Sequence, residues 1–334
     1  MRVAENLNRS LHTLFEDNPD LHLLGEDVVD PYGGAFKITR GLSTRFPDRV
    51  LATPLSEGGF VGVAAGLALA GVPAIAEIMF ADFVTLAFDQ IVNFASKSVS
   101  MYGRALPLPL LVRCPTGAGR GYGPTHSQSL QKHFIGVPGL SLYEISPFHD
   151  NLALLSGILA QAEPAVLFED KILYTQPMFA GGRADELFSY DLPYPDPGTA
   201  RVFLDDPDGA DCVLIAPGGL AYRALRAMRA LLLDDEISCL LLVPTRLHPF
   251  DLEPLMGQLK HARAIFVAED STAGGTWGAE IAHQVHQRMW GDLERPVTLI
   301  HSADSVIPAA AHLEQQVLVR DTTIHRTIAG VLGA

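Results

Sequence analysis

Short apolar segments alternate along the chain with stretches in which apolar residues recur at helical spacing. The first such stretch spans residues 2–17, which predicts an amphipathic helix that ends at Asn18-Pro19. The predicted strands are 21–24, 50–52, 74–79, 106–112, 140–145 and 165–169, then a strand from Asp211 and strands at 239–243, 264–269 and 297–301. Further helices are predicted up to residue 46 and over 83–99, 150–161, 221–233 and 277–289. This alternation predicts mostly parallel sheets covered on both faces, an α/β fold.

The composition changes between residues 177 and 208, where prolines and aspartates are frequent and apolar residues show no period. Such a stretch is typical of a linker. We therefore predict two α/β domains, residues 1–178 and 209–334, joined by a linker over 179–208. One helix of the second domain carries arginines on one face, which we expect to be solvated, with docking as the alternative: Arg223, Arg226 and Arg229.

One helix of the first domain is apolar on nearly all sides and begins with a carboxylate. Residues 58–70 are almost all Gly, Ala, Val and Leu, which predicts a buried helix, and Glu57 stands at its start. A carboxylate buried without a partner favours its protonated form, so Glu57 is a candidate for holding and moving protons. The alternative is an acidic residue in a first helical turn, which the helix dipole favours without any chemistry.

A glycine-rich loop follows the strand predicted at 106–112. Its glycines stand at 117, 119, 121 and 123, which indicates backbone that approaches something closely, and a phosphate cradle is one option although the spacing matches neither common phosphate-binding motif. His126 in this loop is a candidate acid or base, because an imidazole titrates near neutral pH. A surface histidine without chemistry is the alternative.

Two further patterns carry weaker signals. Phe83 follows a predicted strand, where an aromatic ring stacks on a ring-shaped ligand or simply packs in the core. Glu280, His283 and His286 are three residues apart on one predicted helix, but the helical zinc signature needs histidines four apart. We therefore favour a polar helix face over a metal site there.

Charge and cysteine content narrow the classes of function. The chain has 334 residues and a formal net charge of −14, which argues against nucleic-acid binding. It has three widely spaced cysteines and no Cys-x-x-Cys pair, which is typical of a reducing compartment, so we expect a cytoplasmic protein. No run of eighteen apolar residues occurs and the start lacks the apolar core of a signal peptide, so no membrane association is expected.

Longer motifs in both halves resemble one known family. In the first half they are GEDVVDPYGGAFKITRGL (25–42), TPLSEGGFVGVAAGLALAG (53–71), EIMFADFVTLAFDQIVN (77–93), RCPTGAG (113–119), GPTHSQS (123–129) and VPGL (137–140). In the second half they are DCVLIAPGG (211–219), TRLHPFD (245–251) and the segments 269–280 and 307–314. In this order they strongly resemble the β subunit of the thiamine-diphosphate-dependent 2-oxoacid dehydrogenases, the decarboxylating component of the pyruvate, branched-chain 2-oxoacid and acetoin dehydrogenase complexes.

The resemblance implies a transketolase-like pyrimidine-binding domain followed by a transketolase C-terminal domain. It implies an enzyme that decarboxylates a 2-oxo acid with thiamine diphosphate and passes the acyl group to lipoamide. Glu57 would hydrogen-bond the aminopyrimidine ring of the cofactor and help to activate it, and His126 would orient or protonate the reacting groups. Phe83 would pack on the aminopyrimidine, and Leu55 and Met79 would line its pocket.

The resemblance also implies a missing half. Glu26 would approach the cofactor, but relatives hold its diphosphate and Mg²⁺ through a Gly-Asp-Gly motif, which this sequence lacks. A separate α subunit would supply that motif in an α2β2 heterotetramer, so no metal ligand is assigned here, and a lipoyl acyltransferase would be a further partner. Relatives often bind a monovalent cation with the help of an Asp where this chain has Gln161-Ala162-Glu163.

Two other functions stay open at this point. The motifs identify the cofactor rather than the acyl acceptor, so the chain would also fit half of a split transketolase-like enzyme that transfers a two-carbon or acyl unit in a biosynthetic pathway. A catalytically silent scaffold subunit is the non-enzymatic alternative, although the presence of both Glu57 and His126 argues against it.

Overall fold

The structure is a computed structural model that describes residues 1–194 and 198–333. Its strands are β1 His22–Gly25, β2 Val50–Ala52, β3 Ala74–Glu77, β4 Leu110–Thr116, β5 Ser141–Glu144, β6 Ala165–Asp170, β7 Ser189–Asp191, β8 Thr199–Phe203, β9 Cys212–Ile215, β10 Cys239–Pro244, β11 Arg246–His248, β12 Ala264–Thr272 and β13 Thr298–Ser302. Its α-helices are α1 Val3–Asp17, α2 Leu42–Arg45, α3 Glu57–Leu69, α4 Ser96–Ser98, α5 Asn151–Ala160, α6 Ala221–Asp234, α7 Met256–His261, α8 Trp277–Met289, α9 Ala311–Val317 and α10 Asp321–Leu332.

The first sheet has seven strands in the order β11-β5-β6-β4-β3-β1-β2. Its six strands from the first half are parallel, and β11 joins from the second half by pairing antiparallel with β5. Side chains alternate between its faces, as strand geometry requires. Ala76 and Val112 pack in the cluster that contains α3, whereas Ile75 and Leu111 pack in the cluster of α1 and α5.

The second sheet has six strands in the order β13-β12-β9-β10-β8-β7. Strands β9, β10, β12 and β13 are parallel, and β8 and β7 continue the sheet antiparallel. The stretch predicted as a linker, 179–208, thus contributes β7 and β8 to this sheet and is not a simple connection. Residues 195–197 of that stretch lie outside the described part.

One apolar cluster joins the two sheets. It contains Leu142 and Phe168 from the first sheet, Val213 and Leu240 from the second, and Trp277 at the start of α8. The Trp277 indole donates to the Leu247 carbonyl on β11 at 3.0 Å, so the polar edge of this buried ring is satisfied as well. The two units are therefore packed against each other through a shared core.

Several predicted elements shift for identifiable reasons. The strand predicted at 106–112 begins at Leu110, because Pro107 and Pro109 have no N–H to donate to a sheet. The helix predicted over 83–99 is three pieces: a 3-10 segment Ala81–Ala87, a π segment Gln90–Ala95 and α4. The helix predicted up to residue 46 is only α2, because Gly41 before it adopts a positive φ of 82°.

The arginines of α6 pair with other segments, although Arg226 at 59% side-chain exposure stays solvated as expected. Each one pairs with a carboxylate from a different part of the chain, so the face that we expected to be solvated ties α6 to its neighbours. The pairs are Arg223–Asp270, Arg226–Asp321 and Arg229–Asp185, with N···O distances of 2.6, 2.8 and 3.2 Å. Across the described ranges, none of the helices has the length and apolar character needed to cross a membrane.

Candidate active site

Four neighbouring strands of the first sheet end at one edge, and each leads into a candidate site residue. Strands β2, β1, β3 and β4 are parallel, so their carboxyl ends lie side by side. Glu26 follows β1, Glu57 follows β2, Met79 follows β3 and the glycine-rich loop with His126 follows β4. The edge therefore brings together residues that are up to 100 positions apart in the sequence.

Two carboxylates face each other at this edge. Glu57 is the first residue of α3 and is 8% exposed, and Glu26 is 5% exposed. Burial and the neighbouring Glu57 charge raise the pKa of Glu26, while the Ser56 backbone N–H opposes that rise. Burial and the nearby Glu57 charge therefore both favour the protonated form of Glu26.

Several buried polar atoms on the segments that follow these strands have no partner in the described part of the chain. Within the described residues, four buried side-chain oxygens on the loops of this edge have no hydrogen-bond partner: Glu26 Oε1, Thr53 Oγ1, Asp82 Oδ2 and Ser127 Oγ. Buried polar groups are normally paired. The edge is thus short of hydrogen-bonding partners and could satisfy them with a polar ligand.

Small residues on α3 let the segment that carries Phe83 approach closely. A methyl group on Gly58 would lie 3.0 Å from the Leu86 carbonyl oxygen, and one on Gly62 would lie 2.9 Å from Gln90 Oε1. Larger side chains at these two positions would push residues 81–95 away from Glu57. The Gly- and Ala-rich sequence of α3 therefore sets the distance between the carboxylate and the aromatic side chains.

An aromatic cluster surrounds His126. Its imidazole lies edge-to-face on Phe80 and Phe83, with ring centroids 4.9 and 5.2 Å apart. Phe80 also contacts Phe36 and Tyr122 at 5.7 and 5.8 Å. Sequence reasoning identified Phe83 and missed Phe80, which is the centre of the cluster. The sequence signal for Phe80 was its position three residues after the end of β3.

Lys171 and Asp82 hold the segment that carries His126. The Lys171 ammonium donates to the His126 carbonyl oxygen at 3.0 Å, and Asp82 accepts from the Gln128 side chain at 2.8 Å. Thr125 Oγ1 lies 3.0 Å from His126 Nδ1 and helps to fix the ring. Burial lowers the pKa of Lys171 to about 8. The histidine is therefore held by its backbone and by its ring.

The glycine-rich loop binds a carboxylate of the chain itself. Glu314 of α9 accepts from the Gly119 amide at 2.8 Å and from the Gly121 amide at 3.3 Å. Both glycines have positive φ, which turns successive amides toward one point. The option of a phosphate cradle is therefore wrong for these two amides, since an internal anion already occupies them.

Comparison with known proteins identifies the family. The sequence matches the transketolase pyrimidine-binding domain over residues 1–177 and the transketolase C-terminal domain over residues 202–324. It is 31% identical over 316 residues to the mitochondrial pyruvate dehydrogenase E1 component subunit beta-2 of Oryza sativa subsp. japonica, covering 94% of this chain and 82% of that one. The chain belongs to the E1 β-subunit family of the 2-oxoacid dehydrogenases.

Other E1 β relatives and one solved structure agree. The acetoin:2,6-dichlorophenolindophenol oxidoreductase subunit beta of Cupriavidus necator is 30% identical, covering 92% of this chain and 90% of that one. The pyruvate dehydrogenase E1 component subunit beta of Rhizobium meliloti is 31% identical, covering 95% and 67%. The structure titled split gene transketolase, inactive beta4 tetramer, has a TM-score of 0.73 at 19% identity, covering 100% and 98%. The predicted family and two-domain α/β fold are confirmed.

The E1 β chain leaves apolar side chains exposed beside its buried carboxylates. Leu55 is 83% exposed, Val63 on α3 is 56% exposed, and Leu51 and Leu86 are exposed as well, while Met79 is half-buried. Leu55 was predicted to line a pocket, but in this chain alone it stands on the surface. Several exposed apolar side chains on the segments that build a site are a feature of protein interfaces.

A buried ionic network lies behind the site and was missed from the sequence. Arg113 on β4 binds Glu169 through two hydrogen bonds of 2.6 and 2.8 Å and Glu77 through one of 2.7 Å. Tyr174 also donates to Glu169, at 2.7 Å. Burial acts to lower the pKa of Arg113, but the two carboxylates outweigh burial and hold that pKa above its ordinary value. The sequence signal that could have indicated this network was an arginine within an otherwise apolar strand.

The helix predicted to have a polar face engages its side chains in ordinary contacts. His286 Nε2 accepts from the Val297 amide at 3.2 Å, and Glu280 accepts from Gln284 at 3.0 Å. In residues 1–194 and 198–333, no three His, Cys, Asp or Glu side chains are grouped so as to hold a metal ion. At the position compared with the cation site of relatives, the Ala162 carbonyl accepts from the Leu108 amide at 2.6 Å.

Proposed function

We propose that this chain is the β subunit of an enzyme that decarboxylates a 2-oxo acid with thiamine diphosphate and transfers the acyl group to lipoamide. Membership in the E1 β family supports the reaction class, and that family depends on thiamine diphosphate. The α subunit would complete the site in an α2β2 heterotetramer and hold the diphosphate and Mg²⁺, since the Gly-Asp-Gly motif does not occur in this sequence. The three buried free cysteines fit a reducing cytoplasm.

The observation that carries this proposal is the buried Glu26–Glu57 pair with its unpartnered oxygen. An aminopyrimidine ring has a ring nitrogen and an exocyclic amino group, which together match a carboxyl group that can donate and one that can accept. Phe80 and Phe83 follow the neighbouring strand β3 and would offer apolar faces for a flat ring. The residues present therefore fit the pyrimidine half of the cofactor.

The side chains of this chain would divide the work of the reaction. When bound, thiamine diphosphate supplies a thiazolium ring that accepts the electron pair released as CO₂ leaves. Glu57 would hold a proton at the pyrimidine ring nitrogen, and Glu26, whose pKa burial and the Glu57 charge raise, would lie beside it as a second acid. His126 would deliver or accept a proton at the substrate oxygen, with its ring kept in place by Thr125.

The exposed apolar surface supports a shared site. Leu51, Leu55, Val63 and Leu86 are exposed on the segments that carry Glu57 and Phe83, and the α subunit would cover them. Covering them would exclude water from the pair, and charges interact more strongly in a site without water. An interface at this position therefore serves both assembly and chemistry.

A reconstitution experiment tests the proposal. The chain is co-expressed with a candidate α subunit from the same genome. CO₂ release is then measured with pyruvate and with branched-chain 2-oxo acids as substrates, in the presence of thiamine diphosphate and Mg²⁺. Acetoin is included with dichlorophenolindophenol as electron acceptor, followed by lipoamide as acyl acceptor. CO₂ release from a 2-oxo acid by the pair, and by neither subunit alone, supports the proposal, whereas dye reduction with acetoin alone would point to acetoin cleavage instead of decarboxylation. Transfer of a two-carbon unit to an aldose without CO₂ release would favour a transketolase-like enzyme, and cofactor binding without turnover would favour a scaffold.

A further inference from the structure

Glu314 reaches from the second domain into the loop that carries His126. It lies on α9 and is 3% exposed, and its carboxylate accepts from the Gly119 amide at 2.8 Å. The Gly121 amide lies 3.4 and 3.3 Å from its two oxygens. Nothing in the proposed chemistry uses Glu314, yet a buried carboxylate is stable only where donors compensate its lost hydration.

The loop is shaped to accept this one side chain. Gly119 and Gly121 have φ values of 90° and 70°, a conformation that residues with a Cβ rarely adopt. A Cβ on Gly121 would also lie 3.1 Å from the Ala309 carbonyl oxygen of the second domain. The glycines therefore permit both the amide orientation and the close approach of the two domains.

A second set of contacts holds the loop from the first domain. Arg120 donates to the Lys171 carbonyl oxygen at 2.5 Å, and Lys171 in turn donates to the His126 carbonyl oxygen at 3.0 Å. The charges that act on the Lys171 ammonium include Glu314 as well as three groups of the first domain: Asp170, Asp82 and Arg120. Glu314, the loop and Lys171 thus form one continuous set of contacts that ends at the histidine backbone.

We propose that Glu314 is a positioning residue: it fastens the His126 loop to the second domain, so that the docking of that domain sets the place of the histidine. The proposal rests on the proposed function only in the role that it gives to His126. Removing the carboxylate frees two loop amides and leaves the loop to the first-domain contacts of Lys171, Arg120 and Asp82. A displacement of the histidine by about 1 Å is enough to lower turnover up to about 100-fold.

The experiment compares Glu314→Ala, Glu314→Gln and the matched control Gln315→Ala, which changes an exposed residue of the same helix. In the full chain alone, hydrogen exchange of the Gly119 and Gly121 amides is measured by mass spectrometry. We expect exchange about 10-fold faster in Glu314→Ala, because hydrogen bonds to a charged group are lost. Glu314→Gln keeps one acceptor oxygen and should show a smaller change, and Gln315→Ala should show none.

With the α subunit, we expect Glu314→Ala to lower kcat about 10-fold with KM nearly unchanged, because the loss concerns the reacting geometry and not substrate binding. Partial recovery of kcat in Glu314→Gln supports positioning. Unchanged loop exchange in Glu314→Ala, or equal effects in Gln315→Ala, would overturn the proposal. If the wild-type pair turns over no substrate, the proposed function fails, and the exchange measurement still decides whether Glu314 fastens the loop.

Discussion

The same edge of the first sheet carries two groups of buried carboxylates with opposite surroundings. Glu144 and Asp170, at the ends of β5 and β6, lie under the second domain. Glu144 accepts from the Gly219 amide and from Gln131, each at 2.9 Å, and Asp170 accepts from the Ile172 amide at 2.8 Å. Every one of these donors comes from the chain itself.

Glu26 and Glu57 follow β1 and β2, at the other end of the same edge. One oxygen of Glu26 has no partner in the described structure, and the residues beside the pair are apolar and exposed. Burial nevertheless raises the pKa in both groups: to about 8 for Glu144, to about 6 for Asp170, and upward for Glu26. A raised pKa alone therefore does not separate a site from a structural acid. The two groups differ instead in two features of the Glu26 and Glu57 group: Glu26 Oε1 lacks a donor in the described chain, and exposed apolar side chains lie on the segments beside it.

We call Glu26 and Glu57 the open group and Glu144 and Asp170 the closed group. The largest expected effect comes from removing the acid Glu57 of the open group. Glu57→Gln keeps the shape of the side chain but cannot hold and release a proton. With the α subunit, we expect turnover to fall by about two to four orders of magnitude, the range for lost acid–base catalysis. The measurement is CO₂ release in the reconstituted enzyme.

Glu144→Gln is the matched control for that experiment. It makes the same substitution at the closed group, where we expect turnover to stay within about two-fold of the wild type, because its carboxyl group already has protein donors on both oxygens. Near-normal turnover in Glu57→Gln, or an equal loss in both variants, would remove the distinction between the two groups.

The second effect concerns the buried ionic network of Arg113, Glu77 and Glu169 in the same sheet. Arg113→Met leaves Glu77 and Glu169 buried without their cation, so we expect a loss of about 3–5 kcal/mol in the free energy of unfolding. Urea denaturation followed by circular dichroism measures it. Arg263→Met serves as control, because its ion pair with Asp211 is long, at 3.6 Å, and half exposed. A loss below about 1 kcal/mol in Arg113→Met would mean that the network is not a stability element.

The order of elements could be predicted from the sequence, because their apolar runs are long and periodic. Helix α8, strand β2 and most strand positions agree with the prediction to within a few residues. Strands β7 and β8 were missed, because they are short, antiparallel and set among prolines and aspartates. Strand β11 was missed because its partner β5 is far away in the sequence, and tertiary pairing decided its structure.

The candidate site could be predicted only in part, for a similar reason. Residues that follow parallel strands meet at one edge, so the grouping of Glu26, Glu57 and His126 follows from strand order together with the family resemblance. The contact between Glu314 and Gly119 joins residues 195 positions apart and depends on how the domains dock. No local pattern records such docking, which is why the anchors of the histidine loop emerged only from the structure.

The third effect tests whether the α subunit binds at the exposed apolar side chains near the open group. Val63→Asp places a charge on the exposed face of α3, so we expect binding of the α subunit to weaken about tenfold or more while the chain itself stays folded. Sedimentation of mixtures at several concentrations measures the assembly. Leu233→Asp makes the same kind of change at an exposed leucine of the second domain. Unaltered assembly in Val63→Asp, or equal weakening in both variants, would place the interface elsewhere.

The last effect, smallest when taken over a fraction of a pH unit, is a pH dependence that belongs to the closed group. The pKa of Glu144 is about 8 in the folded chain against an ordinary value of 4.5, because burial outweighs its hydrogen bonds. Between these values the folded chain keeps a proton that the unfolded chain has lost. Stability should therefore fall as pH rises through this window, by up to about 1.4 kcal/mol per pH unit.

Glu144→Gln cannot ionise, so the variant should lose this part of the slope. Asp170 acts in the same direction at lower pH, with a folded pKa of about 6, and remains in both proteins. Thermal unfolding midpoints of wild type and variant, measured from about pH 5 to 8, isolate the contribution of Glu144 as their difference. Parallel curves would show that Glu144 is already ionised in the fold, and the closed group would then hold its charge through donors on both oxygens, whereas Glu26 Oε1 in the open group has none in the described structure.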